Sequence, residues 1–261
     1  AGIANTVTGV ANRTFNSNGS LIYGAGNEIT NSITNISAPS DSGSSAKEFA
    51  DKLRTAITGS KSGGATLAIG GGNKADYTQK TSIIGVNNTV TGTSGSPSTY
   101  NSITGYDNKA TNVNHVSVIG SENNVTNTNG AVVFGDKRTL TVADGSVVIG
   151  SSQNGTSTSV KTALAIGSEA NVTKEGGVAL GAGSVASVDK GVAGYDPGTG
   201  TNSTDTSSVW KSTQAAVSVG DTSKGITRQI TGVAAGTNDT DAVNVAQLRK
   251  AKTSIVAAAS T

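Results

Sequence analysis

A short apolar run followed by a glycine recurs along the whole chain, as in "SVVIG" at residues 146–150. Glycines that close such runs stand at Gly24, Gly70, Gly85, Gly105, Gly120, Gly135, Gly150, Gly167, Gly181 and Gly220. The gaps between them are 14 or 15 residues, or longer where extra residues are inserted. A repeat this short predicts a solenoid, in which each coil packs only on its neighbours.

One repeat has room for two strands of about five residues and two turns, at roughly 3.3 Å per residue. Five residues after the glycine comes a recurring aliphatic position: Ile29, Ala75, Val90, Ala110, Val125, Leu140, Val172 and Ala186. Three residues after it asparagine is frequent: Asn27, Asn73, Asn88, Asn108 and Asn123. The pattern predicts a narrow, parallel, two-sided β-roll, an all-β solenoid with glycines at corners and asparagines stacked in a ladder.

Both residues before the glycine are apolar in most coils, for example Val118-Ile119 and Val148-Ile149. Neighbouring strand residues point to opposite faces, so this pattern indicates a strand covered on both sides. A single roll has only one interior. We therefore expect the second apolar face to meet a partner, most simply other copies of the chain.

The register of the coils is not uniform. The runs before Gly85, Gly105 and Gly120 look one residue shorter after their serine than the run before Gly150. We expect a bulge or a slipped corner in those three coils.

An insertion at about residues 39–64 interrupts the repeat between Gly24 and Gly70. It contains "SAKEFADKLRTAITG", with Ser45 and Glu48 as a capping box and apolar residues at helical spacing. Gly59 is the expected end of this helix. The helix is either a brace packed on the roll or a protrusion that contacts a ligand, and its candidate contacts in the second case are Lys47, Lys52 and Arg54.

A second insertion, residues 188–213, carries Trp210, the only tryptophan of the chain. Trp210 is either a packing residue between chains or a receptor anchor. A smaller Gly/Ser/Pro loop at residues 91–99 lies beside Tyr100 and Tyr106, which either contact a partner or pack within the structure.

A helix is predicted at the C-terminus, starting at Asp241 or at Asn244 with Gln247 as its capping-box partner. A 3-4-3-4 spacing of side chains typical of a coiled-coil seam follows: Val245, Leu248, Lys252, Ile255 and Ala259. The alternative is a short terminal helix that lies on the roll.

Composition supports a thin core. Of the 261 residues, 35 are glycine, 34% are hydrophobic and only 3% are aromatic. With 19 basic and 17 acidic residues, the chain lacks the excess of positive charge expected of a nucleic-acid-binding protein. The absence of cysteine excludes disulfides. The sequence has no run of 18 apolar residues and no signal peptide at its start, so we expect a piece of a longer protein.

The sequence offers few candidates for catalytic residues. His115 is the only histidine, so a Ser-His-Asp triad or a multi-histidine metal site would have to include it. No acidic residue that could pair with His115 lies near it in the sequence. The glycine-rich segment "AIGGGNKAD" at residues 68–76 lacks the ending of a phosphate-binding loop. We expect no catalytic residues, metal or cofactor; a β-solenoid enzyme acting on polysaccharide is the alternative.

The segment "TRQITGVAAGTNDTDAVNVAQL", residues 227–248, closely resembles the neck of trimeric autotransporter adhesins. The "SVVIG" and "ALAIG" repeats resemble their YadA-like head. The resemblance implies a left-handed parallel β-roll, a homotrimer, and a neck that feeds a trimeric coiled coil. It divides the chain into a head at 1–187, the insertion at 188–213, a last head coil at 214–225, a neck at 226–243 and the start of a stalk at 244–261.

The resemblance also implies a function. Such heads are displayed on Gram-negative bacteria and attach to host matrix proteins such as collagen, fibronectin or laminin, or to carcinoembryonic-antigen-related cell adhesion molecules. Others promote autoaggregation and biofilm. A C-terminal membrane β-barrel outside this chain would anchor the stalk in the outer membrane. The expected trimer-interface residues are Trp210, Val245, Leu248 and Ile255.

Overall fold

Two long parallel sheets face each other along the chain. The computed structural model describes residues 2–40 and 43–261, so residues 41 and 42 of the predicted insertion lie outside the described part. The first sheet consists of Thr6–Val10, Leu21–Ala25, Leu67–Gly71, Ser82–Val86, Ser102–Tyr106, Ser117–Ser121, Val132–Phe134, Val147–Ile149, Leu164–Ile166, Val178–Leu180 and Val217–Ser218. The second consists of Arg13–Phe15, Glu28–Thr30, Lys74–Asp76, Thr89–Thr91, Lys109–Asn114, Asn124–Asn129, Arg138–Thr141 and Thr156–Thr158.

Shorter elements complete the coils and the connections. Two parallel pairs join Thr78–Gln79 to Ser98–Thr99 and Asn171–Val172 to Val185–Ala186, and an antiparallel pair joins Tyr195–Asp196 to Thr201–Asn202. The helices are α1 (Ala46–Gly59), a 3₁₀ turn at Thr222–Lys224 and α2 (Val245–Ala259). Strands alternate between the two long sheets along the sequence, and each pairs with its equivalent one coil away. The prediction of a parallel β-roll is confirmed.

The interior of the roll is two facing columns of aliphatic side chains. In the first sheet the buried column is Ile22, Ala68, Ile83, Ile103, Val118, Val133, Val148, Ala165 and Ala179. In the second sheet it is Ile29, Ala75, Val90, Ala110, Val125 and Leu140, which are the positions that the repeat predicts. Each coil adds one residue of each column to a single thin core, so no coil could bury its apolar residues alone.

The glycine column is required by close approach between coils. Gly85 has φ +135°, and a Cβ added there would lie 1.8 Å from the carbonyl oxygen of Gly105 in the next coil. The next coil repeats the arrangement, with Gly105 against the carbonyl oxygen of Gly120. A side chain at this position would force neighbouring coils apart, which explains why the repeat ends in glycine.

The buried asparagines form the expected ladder. The side chain of Asn88 donates to the carbonyl oxygen of Gly105 at 2.7 Å and accepts the backbone N–H of Asn108 at 3.1 Å. Asn73, Asn108 and Asn123 repeat these bonds in their own coils. Each amide therefore satisfies polar backbone groups that a closed corner would otherwise leave buried without a partner.

The expected bulge at Gly85, Gly105 and Gly120 is wrong. Ser82–Val86, Ser102–Tyr106 and Ser117–Ser121 pair residue for residue, glycine opposite glycine. The serine is simply the outward residue of the strand, and Ser117 pairs with Val132 of the next coil. The repeat also begins one coil earlier than the aligned glycines indicate, because Gly9 pairs with Gly24 although polar Thr8 stands before it.

The first insertion is fixed to the roll at both of its ends by Asn18. The side chain of Asn18 donates to the carbonyl oxygen of Thr34 and accepts the backbone N–H groups of Thr34 and Gly64, at 2.5, 3.2 and 2.7 Å. Between these points α1 has the predicted Ser45–Glu48 capping box and ends at Gly59. The helix has no buried residue, and its apolar stripe is only half-covered. The base of the insertion is thus held on the roll more firmly than α1 is.

The C-terminal region leaves the roll after the last paired strand. Arg228 reaches back to donate to the carbonyl oxygens of Ala182 and Val219 and to the hydroxyl of Ser184, at 2.7, 2.9 and 3.0 Å. Turns and extended segments then lead to α2, whose N-cap is Asn244 with Gln247 as its capping-box partner. Of the two predicted starts, Asn244 is therefore the one observed.

Candidate binding and self-association surfaces

A continuous apolar column covers the outside of the first sheet. Its residues precede the corner glycines and pair from coil to coil: Tyr23, Ile69, Ile84, Thr104, Ile119, Phe134, Ile149, Ile166 and Leu180. We call these residues the outer apolar face. Most are exposed in the single chain, Ile119 by 54%. An apolar surface that runs the length of a domain is typical of an interaction site.

The outer surface of the second sheet is polar by contrast. It presents threonines that pair from coil to coil, Thr91, Thr111, Thr126 and Thr141, beside charged residues such as Lys74 and Lys109. Removal from water therefore stabilises only the apolar side of the roll, and the polar side can stay exposed.

The predicted seam of α2 is also uncovered. Val245, Leu248 and Ile255 lie on the helix with 63%, 65% and 70% of their surfaces exposed, and no residue of the helix is buried. A 15-residue helix without a packed face is marginally stable in water. The alternative of a terminal helix that lies on the roll is not what the structure shows.

Trp210 is half-buried against the C-terminal region of its own chain. It lines an open cavity of about 510 Å³ together with Asn238, Asp241 and Gln247. Asp241 accepts the backbone N–H groups of Thr237 and Asn238 at 3.0 and 2.9 Å, and these bonds lower the pKa of its carboxyl. The second insertion and the segment before α2 therefore lie side by side around this cavity.

The three candidate basic residues of α1 are exposed and already hold polar partners. Lys47 and Arg54 contact Asp51 at 3.1 and 2.8 Å, and Lys52 donates to the hydroxyl of Ser44 at 2.8 Å. The side-chain bonds of Lys47 and then Arg54 lower the pKa of the Asp51 carboxyl. These pairs are solvated, so a ligand could displace them at small cost.

Tyr100 and Tyr106 are both exposed, but they occupy different columns. Tyr106 ends a strand of the first sheet and pairs with Val86 and Ser121. Tyr100 stands at a corner, where its ring stacks on that of His115 with centroids 4.7 Å apart and an angle of 14° between the planes. The stacking of Tyr100 on His115 was not predicted from the sequence, although their separation of 15 residues equals one repeat.

A buried arginine closes the asparagine ladder. Arg138 is completely buried and donates from Nε to the carbonyl oxygen of Gly150 and from Nη2 to that of Gly167, both at 2.9 Å. Its third bond runs from Nη1 to the carbonyl oxygen of Ala170 at 2.5 Å. Burial lowers the pKa of the guanidinium. Two coils that lack the ladder asparagine are thus joined by one side chain.

The surfaces described above offer contacts rather than reactive groups. His115 is exposed and stacked on a tyrosine, and residues 2–40 and 43–261 hold no group of three His, Asp or Glu placed to bind a metal ion. Within the same residues neither helix is long and apolar enough to cross a membrane.

Comparisons with known sequences point to adhesins. Residues 229–261 match the family described as the coiled stalk of trimeric autotransporter adhesin. The autotransporter adhesin BadA of Bartonella henselae is 65% identical over 72 residues, and the trimeric autotransporter adhesin AtaA of Acinetobacter sp. (strain Tol 5) is 51% identical over 76. Each match covers 28% of this chain, and the chain spans about 2% of the length of either relative. Adhesins of this family are not enzymes, which is against the solenoid-enzyme alternative.

Two solved structures are similar in part. The C-terminal YadA-like domain of BPSL2063 from Burkholderia pseudomallei is 34% identical over 40% of this chain and 50% of that domain, with a TM-score of 0.29. The collagen-binding domain of the Yersinia adhesin YadA is 22% identical over 71% of this chain and 82% of that domain, with a TM-score of 0.35.

Proposed function

We propose that the chain, a YadA-like segment of a trimeric autotransporter adhesin, acts as a homotrimeric attachment head on a bacterial surface. The observation that carries the proposal is that two apolar surfaces of the chain are uncovered. The outer apolar face runs along the roll, and the exposed seam of α2 follows at its C-terminal end. Three copies side by side would cover both.

These surfaces suggest a role for each segment of the chain. Residues 1–187 and 214–225 would form the head, residues 226–243 the neck, and residues 244–261 the start of the stalk. Val245, Leu248 and Ile255 would pack in the core of the coiled coil, as apolar residues at 3-4 spacing do. Trp210, in the insertion at 188–213, would pack near the neck, where the single chain leaves its ring half-covered.

Attachment would use surfaces that a trimer leaves free. The polar side of the roll and the basic residues Lys47, Lys52 and Arg54 of α1 suit protein ligands, and Tyr100 and Tyr106 offer aromatic contacts. Three equivalent sites on one rigid body raise the strength of attachment without new contacts. We propose a host matrix protein or a host-cell receptor as the ligand, and autoaggregation as a second role on the same surface.

The proposed location is the exterior of a Gram-negative cell. The supporting observation is the match of residues 229–261 to the stalk of surface-displayed adhesins. A stalk would hold the head away from the membrane.

A binding panel tests the proposal. The trimeric protein is passed over immobilised collagen, fibronectin, laminin and a carcinoembryonic-antigen-related cell adhesion molecule in a surface plasmon resonance experiment. Saturable binding to at least one of them is the expected result. Absence of binding to every member, with no cell-to-cell aggregation when the full protein is displayed, would overturn it.

A deletion locates the site. Replacing residues 39–64 by a short turn removes α1, while Asn18 and the coils on either side remain. Loss of binding in this variant would make α1 the contact, and retained binding would place the site on the roll. A charge-reversed variant, Lys52→Glu with Arg54→Glu, is the matched control, because it keeps the helix and changes only its basic surface.

A further inference from the structure

The corner that carries Tyr100 is a column with one equivalent residue in every coil. Its members between the first insertion and the second are Lys80, Tyr100, His115, Gly130, Gly145, Thr162 and Gly176. Each has a positive φ, and its backbone N–H donates to the coil before it. Stacked coils are spaced by about 4.8 Å, so consecutive side chains of the column are placed at stacking distance.

The aromatic part of this column is open at one end. The Tyr100 and His115 rings stack on each other, and Lys80 precedes them with its ammonium bonded to the carbonyl oxygen of Gly63. After His115 come Gly130 and Gly145, which have no side chains. A Cβ at Gly130 would meet no atom within 4 Å. The column is therefore open at Gly130, one coil after the His115 ring, whereas a Cβ at Gly145 would lie 3.5 Å from Cγ2 of Thr162.

Polar residues precede the first two glycines of this column. Asn129 precedes Gly130, and its side-chain oxygen accepts a bond from Asn114 at 3.0 Å. Its side-chain NH₂ has no partner among the described residues, so it is a free donor at the surface. Asp144 precedes Gly145; one of its oxygens accepts the backbone N–H of Asn129 at 3.0 Å, and the other lies 3.9 Å from the ammonium of Lys161.

A flat ring face flanked by an amide donor and a carboxylate acceptor matches one class of ligand. A pyranose has a C–H face that stacks on aromatic rings and equatorial hydroxyls that donate and accept hydrogen bonds at its rim. The residues that precede Gly130 and Gly145 carry an amide and a carboxylate, and the carboxylate favours a neutral hydroxylated ring over an anion.

We propose that the open end of the Tyr100–His115 stack, over Gly130 and beside Asn129 and Asp144, binds a pyranose ring of a carbohydrate. The sugar ring takes the place that the next side chain of the column would fill. The inference rests on the proposed adhesin function, because it names the class of ligand that Tyr100, one of the proposed contact residues, would bind. It would make the corner of the roll a glycan contact separate from α1 and from the outer apolar face.

Saturation-transfer NMR with methyl β-D-glucopyranoside and methyl β-D-galactopyranoside tests this site on the whole chain. We expect transfer to the ring C–H protons of at least one glycoside. Tyr100→Ala and His115→Ala should each reduce it at least fivefold. Gly130→Tyr should do the same by filling the space, and this corner already accommodates a tyrosine at Tyr100 with a similar φ. Tyr195→Ala, which removes an exposed tyrosine of the second insertion, should leave the transfer unchanged.

Two results would overturn the inference. One is the absence of transfer to both glycosides together with no signal on an array of pyranose oligosaccharides. The other is transfer that persists in Gly130→Tyr when its thermal unfolding matches that of the unmodified protein. Failure here would leave binding to matrix proteins unaffected, so the two proposals are separable.

Discussion

Arg138 donates to the carbonyl oxygen of Ala170, a residue two coils further along the roll. Its bonds to the carbonyl oxygens of Gly150 and Gly167 replace the donor bonds of ladder asparagines, although a guanidinium cannot accept the backbone N–H that those asparagines accept. An Arg138→Ala change would leave the carbonyl oxygens of Gly150 and Ala170 without their side-chain donor, at about 1–3 kcal/mol for each group, whereas Gly167 keeps the backbone N–H of Ala170. We expect the free energy of unfolding to fall by about 3 kcal/mol or more, as measured by urea denaturation.

The matched variant is Arg138→Asn, which restores the residue found in the other coils. Its amide can reach the carbonyl oxygen of Gly150 but not those of Gly167 and Ala170. The loss of stability should therefore be smaller than in Arg138→Ala. Equal losses in the two variants would show that the ladder bond to Gly150 contributes nothing.

The corner glycines should tolerate no side chain. In Gly85→Ala the new methyl group would overlap the carbonyl oxygen of Gly105, and neighbouring coils cannot separate without losing their strand pairing. We expect a drop in the unfolding midpoint of at least several degrees, measured by circular dichroism. The control is Gly95→Ala in the exposed loop, where a methyl group meets no atom within 4 Å; it should have little effect.

Glu169 gives the roll a dependence on pH. The backbone N–H of Gln153 and then the hydroxyls of Ser152 and Thr156 donate to its carboxylate and lower its pKa from the usual value of 4.5. A carboxyl with a lowered pKa stabilises the folded state above its unfolded pKa and loses that contribution as the pH falls through the folded value. Glu169→Gln should lower the melting temperature at pH 7, and the difference should shrink below about pH 4. A difference that is independent of pH would contradict this role.

Asn18 should control how firmly the first insertion is attached. Its side chain bonds the backbone at both ends of the insertion, and it lies outside the inserted residues. In Asn18→Ala we expect faster hydrogen exchange at the amides of Thr34 and Gly64, measured by mass spectrometry, with unchanged protection in the coils after Gly105. Unchanged exchange at both amides would show that other contacts hold the insertion.

The repeat made most of the fold predictable. A glycine every 15 residues, with an aliphatic residue five positions later, fixed the strands, the buried columns and the asparagine ladder. The first coil was missed because polar Thr8 stands before Gly9, where most coils have an apolar residue. The bulge was predicted in error because an outward serine was read as the start of the strand, whereas strand pairing depends on the glycine column.

The surfaces were less predictable than the core. Spacing identified the seam of α2 but could not show that Tyr100 and His115 stack, because corner residues lie outside the strand pattern. Arg138 also breaks the asparagine rule, since a long side chain can reach two coils that short ones cannot. Such exceptions depend on three-dimensional reach rather than on periodicity.

The outer apolar face, rather than α2 alone, is expected to hold the copies together. A double change, Ile119→Asp with Ile149→Asp, places two charges in the middle of this face. The control, Lys109→Asp with Asn124→Asp, changes charge on the polar side of the roll, in two adjacent coils. We expect the first pair to reduce the assembled fraction in sedimentation velocity and the second to leave it unchanged.

The molar mass of the purified chain, measured by light scattering on a size-exclusion column, shows whether the chain forms a trimer. We expect three times the chain mass of 25.7 kDa, and a lower mass for Leu248→Asp. A trimer that survives Leu248→Asp would assign the assembly to the roll faces. A monomer at every concentration, with the outer apolar face left in water, would contradict the account.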